Sequence, residues 1–119
     1  MYISIDQSTS SSTVFLYNKN LKLFSKASKT HKQIQKKLGY VEHDAEEIYK
    51  NILFLLKKIS KKVKFDNNMF LSITNQRETF VIFDALSGKP LHNAIVWQCR
   101  RGQKAVSYTH LTLPTRLSV

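Results

Sequence analysis

At 119 residues the chain is long enough for one modest core and too short for two ordinary domains. Hydrophobic residues make up 42% and aromatic residues 11%, which excludes a disordered polymer. The net charge of +11 brings nucleic acid into consideration, yet fifteen of the nineteen cations are lysines spread from Lys19 to Lys104, the pattern of a solvated basic face that steers anions rather than a binding patch.

Residues 2 to 6, YISID, alternate as a strand ending in a carboxylate. A polar run, Gln7 to Thr13, reads as a turn before a second strand over 14 to 17. Asn18-Lys19-Asn20 reads as a hairpin turn, and residues 21 to 27 as a third strand, so the N-terminal part is expected to be an antiparallel three-strand meander. Thr30 to Gly39 is a basic connector of little period. Asp44 opens a capping box with Glu47. Ile48, Ile52, Leu55, Leu56, Ile59 and Val63 then fall on one face of a helix, with Lys57, Lys58, Lys61 and Lys62 toward its C-terminal end, where cations complement the dipole. Residues 69 to 73 and 80 to 83 read as two buried strands, followed by the turn Ser87-Gly88-Lys89-Pro90 and a short apolar segment, Ala94 to Trp97. Strands, a helix and further strands in this order predict a mixed-sheet α/β fold.

Cys99 has no partner for an internal disulfide, which points to a reducing compartment. No apolar run approaches the ~20 residues of a membrane helix, and MYISIDQSTS has neither a basic lead nor a long apolar segment. The expected location is the cytoplasm, without membrane association. From Val106 the sequence changes: VSYTHLTLPTRLSV lacks helical period and acids, and VSYTHLTLPT matches one translated frame of a transposon-end sequencing adapter. Residues 1 to 105 are therefore expected to be genuine sequence and 106 to 119 a spurious tail, the alternative being a C-terminal strand. The chain is then expected to be a fragment.

Three stretches can carry chemistry. DQSTSSST, from Asp6 to Thr13, offers a hydroxyl-rich turn able to direct N–H and O–H groups at a phosphate. Asp6, at a strand end, can orient a hydrated Mg²⁺. The bland alternative is an unliganded polar hairpin. TNQRET places Arg77 beside Glu78; on an extended strand they would face opposite ways, so only irregular backbone aims both at one ligand. Together they suit vicinal hydroxyls, whereas a surface ion pair would be worth little. Trp97, in AIVWQCRR, is either an apolar wall of a pocket or an ordinary core tryptophan. Cys99 reads as inert for want of a His base, and His43 as a helix-entry hydrogen bond.

Taken in order, SIDQSTSS, GYVEHDAEEIY, SITNQRET and SGKPLHNAIVWQCRR resemble the N-terminal part of the glycerol kinase branch of the FGGY family of carbohydrate kinases, from about Tyr2 to Arg101. The resemblance implies a ribonuclease-H-like N-terminal domain of the actin and hexokinase type. It implies ATP and Mg²⁺ as cofactors and glycerol or a similar polyol as substrate, with Arg77, Glu78 and Trp97 at the polyol, Thr9, Ser10 and Ser11 at the ATP phosphates, and Asp6 near the metal. It places the general base and the adenosine-binding domain beyond this fragment, which is expected to be inactive alone, and it is compatible with a homo-oligomeric whole protein. The family pattern DQGTTSSR departs here at Ser8, where it has Gly, and at Thr13, where it has Arg; Tyr40 stands where Trp is usual. The rival readings are another polyol or sugar kinase of the same family and, from a different class, a basic nucleic-acid-binding module, which stacking aromatics on an exposed sheet would favour. A ribonuclease-H-type nuclease lacks a convincing set of further metal carboxylates.

Overall fold

The computed structural model describes residues 1–106; of the expected tail, 106 to 119, all but Val106 lies outside the described residues. Strands β1 (Tyr2–Gln7), β2 (Ser11–Tyr17) and β3 (Leu23–Thr30) form the antiparallel meander. Its cause is alternation: Ile3 and Ile5, Val14 and Leu16, and Ser25 and Ala27 turn to one face and are buried. Asn18 closes the β2–β3 turn, its Oδ1 accepting from the N–H groups of Asn20 and Lys22, while Leu21 takes a left-handed φ of 58°.

The polar run after β1 is shorter as a turn than the sequence suggests. Only Ser8, Thr9 and Ser10 lie between the strands. Ser12 is fully buried, and the Thr13 hydroxyl lies 2.8 Å from that of Ser28 on the paired strand. The Thr13 hydroxyl is satisfied across the ladder, whereas among the described residues the Ser12 hydroxyl has no hydrogen-bond partner; both residues stay in the sheet through their backbone pairing with β1 and β3.

Helix α1 (Ala45–Ser60) begins at Asp44, whose carboxylate accepts from the N–H groups of Glu46 and Glu47. Leu55 and Ile59 are buried against Ile3, Ile5, Val14, Leu16 and Ala27, with Ile52, Leu56 and Val63 at the margin. Asn51, outside the apolar pattern, is also buried and donates to the Thr30 carbonyl at 3.1 Å.

From α1 the chain returns in β6 (Phe70–Thr74), which pairs parallel to β1. The main sheet has the order β3-β2-β1-β6. A second, smaller sheet joins β4 (Gln33–Ile34), β5 (Glu42–His43) and β7 (Ala94–Ile95) in that order. Residues 80 to 83 do not form the expected strand; Phe80 bridges Ile95 and Phe83 bridges Pro90. Nor are the two apolar runs buried: Phe70 is 67% exposed and Phe83 57%, because α1 lies over β2 and β3. Among the described residues no helix is long and apolar enough to cross a membrane.

Candidate active site

Parallel pairing brings the carboxyl ends of β1 and β6 together, with Asp6 opposite Thr74. Chain leaving adjacent parallel strands opens a crevice, the usual place for a ligand in such sheets. Here a cavity of about 360 Å³ is lined from β1 by Asp6 and Gln7 and from the following turn by Ser8 and Thr9. The loop after β6 contributes Asn75 to Glu78, and Trp97 completes the wall.

Arg77 and Glu78 occupy the centre of a tight turn in which the Thr79 N–H donates to the Gln76 carbonyl at 3.4 Å. Glu78 has a φ of 67°, the left-handed region that an ordinary side chain enters only at a cost. That irregularity is what the sequence required for both side chains to reach one cavity. Among the described residues neither Arg77 nor Glu78 makes an ion pair, and both are exposed at the cavity.

The phosphate-like turn is built without glycine. The Ser8 N–H donates to the Ser11 carbonyl at 2.9 Å and its hydroxyl to the same oxygen at 3.0 Å. Among the described residues Leu21 and Glu78 are the non-glycine positions with positive φ, so Ser8 sits there without backbone strain. Of the three hydroxyl residues expected at a phosphate, Thr9 lines the cavity, whereas Ser10 is exposed at the turn tip and Ser11 opens β2. Thr13, at the family's arginine position, is engaged with Ser28.

Trp97 is half exposed at the cavity rather than in the core. Its indole Nε1 donates to Thr9 Oγ1 at 3.0 Å and its backbone N–H to Thr79 Oγ1 at 3.1 Å. The segment carrying it is held by the buried Glu42, which accepts from Asn93 Nδ2 at 2.9 Å and from Arg101 Nη2 at 2.7 Å. These bonds, Asn93's first and Arg101's next, outweigh burial and hold the Glu42 carboxyl down to about 2. The Arg101 guanidinium also lies over the ring of Tyr40, 4.4 Å from its centroid.

Gln76 and His31 were not singled out in the sequence, and His43 is engaged otherwise than expected. Gln76 is buried; its Nε2 donates to Gln7 Oε1 at 3.1 Å and to His43 Nδ1 at 3.4 Å. His43, next to the helix cap Asp44, thus bonds Gln76 rather than the helix start, and its ring is fully buried and edge-on to His31 at 4.5 Å. Burial, and next the neighbouring His31, depress its pKa. Cys99 accepts from Arg101 Nε at 2.9 Å. Burial raises its thiol, but hydrogen bonds from the backbone at Arg101 and Val41 and the guanidinium prevail and lower it. The only sequence signal for this group was the amide pair in TNQRET and the acid and histidine in GYVEHD.

Among the described residues no three His, Cys, Asp or Glu side chains gather as a metal site. Two carboxylates line the cavity, Asp6 from β1 and Glu78 from the loop after β6, and Asp6 alone suffices for Mg²⁺, an ion that takes one or two carboxylates and draws its other ligands from water and substrate phosphates.

Residues 1–112 match the family model described as the FGGY family of carbohydrate kinases, N-terminal domain. The chain is 42% identical over 105 residues to glycerol kinase 1 of Thermotoga maritima, which covers 86% of this chain and 21% of that protein. Glycerol kinase of Plasmodium falciparum, solved with ADP, superposes with a TM-score of 0.86 at 37% identity, over 96% of this chain and 24% of that one. Gluconate kinase of Lactobacillus acidophilus shares the fold at a TM-score of 0.82 and 22% identity, over 92% of this chain and 22% of that one. The chain therefore spans about a fifth of the length of the curated relatives it matches.

Proposed function

Because this chain belongs to the FGGY family of carbohydrate kinases, we propose that it supplies the substrate-facing part of an enzyme that transfers the γ-phosphoryl group of ATP to a terminal hydroxyl of glycerol. The mixed α/β sheet is the ribonuclease-H-like N-terminal fold of that family. One observation carries the glycerol reading: a single cavity is lined by a free guanidinium, a free carboxylate and an indole on one side, and by Asp6 and Thr9 on the other.

In this reading Arg77 donates to one polyol oxygen and Glu78 accepts from the neighbouring hydroxyl, so a vicinal diol is gripped with defined polarity. Trp97 covers the carbon chain. Thr9, with Ser10 and Ser11 beside it in the turn, faces the phosphates, and Asp6 orients a hydrated Mg²⁺. The bound ion neutralises phosphate charge, and the remaining task is positioning, which suits a site made of directional hydrogen-bonding groups. The general base and the adenosine site come from outside these residues, so the 119-residue chain alone is expected to show no glycerol-dependent ATP consumption, and the reaction belongs to the cytoplasm. Another polyol or sugar as substrate is the nearest alternative, since gluconate kinase shares the fold.

The alternative of nucleic-acid binding has one observation in its favour. Tyr2 and Phe70 stack at 5.7 Å and Phe15 and Tyr17 at 6.2 Å on the sheet face opposite α1. These rings engage each other, and Lys26 lies over Phe15 at 5.9 Å, rather than standing apart to receive bases. A chimera tests the main reading: residues 1–105 replace the matching segment of the Thermotoga glycerol kinase. Glycerol-dependent ATP consumption is expected, and its absence in a folded chimera, or tight binding of a single-stranded oligonucleotide by the chain, would sink the proposal.

A further inference from the structure

Beside the cavity, six residues are joined end to end through side-chain and backbone groups. Gln76 Oε1 accepts from the Thr79 hydroxyl at 3.2 Å, and the Thr79 oxygen accepts from the Trp97 N–H at 3.1 Å. The Trp97 indole donates to Thr9 Oγ1, and the Thr9 carbonyl lies 3.0 Å from His31 Nε2. His31 stacks on His43, and His43 Nδ1 returns to Gln76 Nε2. The circuit is closed.

Donor counting fixes its protons. A carbonyl only accepts, so His31 Nε2 carries a hydrogen. An amide N–H donates to His43 Nδ1, so the His43 proton sits on Nε2. Among the described residues the two ring atoms left over, His31 Nδ1 and His43 Nε2, are both buried without a hydrogen-bond partner, on rings 4.5 Å apart. The Thr9 oxygen already accepts from the indole, which leaves the Thr9 hydroxyl hydrogen to point elsewhere. Its residue lines the cavity, so that hydrogen is available to a ligand oxygen, and the indole bond polarises it in the donating direction.

We propose that Gln76, Thr79 and the His31–His43 pair are positioning residues that lock the Trp97 indole onto Thr9 and so fix the Thr9 hydroxyl as a donor into the cavity. The ring ties the wall that faces the carbon chain to the turn that faces the phosphates, a consequence that rests on the phosphoryl-transfer reading. The hydrogen-bond circuit itself does not depend on that reading. None of the four positioning side chains needs to touch substrate. Gln76 is the junction, since it engages Gln7, His43 and Thr79 at once.

Trp97 is the only tryptophan, so the 119-residue chain gives one indole N–H signal in a proton NMR spectrum. Its exchange with water reads the Trp97–Thr9 bond directly, and backbone amide signals of β1 and β2 report whether the fold persists. Thr9→Val sets the rate without the acceptor. Thr79→Val and Gln76→Leu, which leave both bonded atoms in place, should speed exchange by about fivefold, the worth of one net hydrogen bond. Thr79→Ser, which restores the hydroxyl, should exchange at the wild-type rate. Wild-type exchange in Thr79→Val would overturn the proposal, as would equal acceleration in Thr79→Ser. Should Gln76→Leu fail to fold, the Thr79 pair decides alone. No substrate enters this measurement, so an inactive chimera with a protected indole refutes the phosphoryl-transfer reading, and an active chimera with an unprotected indole refutes the ring.

Discussion

Glu78 holds a left-handed φ of 67° without being glycine, and that single dihedral connects the local chain to the proposed chemistry. A non-glycine residue there costs roughly 1–2 kcal/mol, partly offset by the greater freedom that glycine loses on folding. Glu78→Gly is therefore expected to stabilise the chain by up to about 1 kcal/mol in urea unfolding while removing the carboxylate from the cavity. A destabilised Glu78→Gly would show instead that the side chain supports the fold. At this scale Arg77 and Glu78 were legible because two adjacent opposite charges between apolar runs demand an irregular backbone. Gln76 and Thr79 were not, since an amide and a hydroxyl in a loop look the same whether they face water or one another. Thr13 misled in the other direction: a hydroxyl counted with the loop belongs to a strand because Ser28 stands opposite.

The elements that sequence makes plain are those whose side chains repeat. The meander follows from alternation, and α1 from its cap and apolar stripe. Leu55→Ala is expected to cost about 2–5 kcal/mol, while Lys58→Ala on the exposed face should stay within about 0.5 kcal/mol, both by urea unfolding. The smaller sheet was invisible because strands of two residues have no period, and its coherence comes from Glu42, an acid that sequence alone presents as solvated. The Glu42 carboxyl is held at about 2 against an ordinary 4.5. A depressed acid adds stability above its unfolded value, which is lost as pH falls from about 4.5 through 2. His43, depressed below 6.5, adds a loss that begins as pH falls through 6.5. Acid titration followed by Trp97 fluorescence should therefore show two falls in stability. Glu42→Gln should abolish the lower one and His43→Gln the upper; a lower step unchanged by Glu42→Gln would place the acid-sensitive group elsewhere.

For the whole molecule, the net charge of +11 is expected to draw anions towards the surface. On the proposed reading, ATP capture by the chimera should weaken with salt, because the Debye length shrinks from about 10 Å at 0.1 M to about 3 Å at 1 M. The order of motifs along the chain made the family readable, and the carboxyl ends of β1 and β6 show why distant motifs converge. What sequence could not supply was exposure: Phe70 and Ile73 read as buried, yet α1 covers the other end of the sheet. The central claim is that Arg77 and Glu78 hold the phosphoryl acceptor. It is tested most directly by kcat/KM for glycerol and KM for ATP in the chimera, with Arg77→Ala, Glu78→Ala and Lys58→Ala compared with the unaltered protein. Each site substitution should lower kcat/KM for glycerol by roughly ten- to hundred-fold, the worth of a charge-assisted hydrogen bond, with little change in KM for ATP. The double substitution should fall short of the product, because both groups grip one small ligand. Equal, small losses for all three single substitutions would contradict the claim.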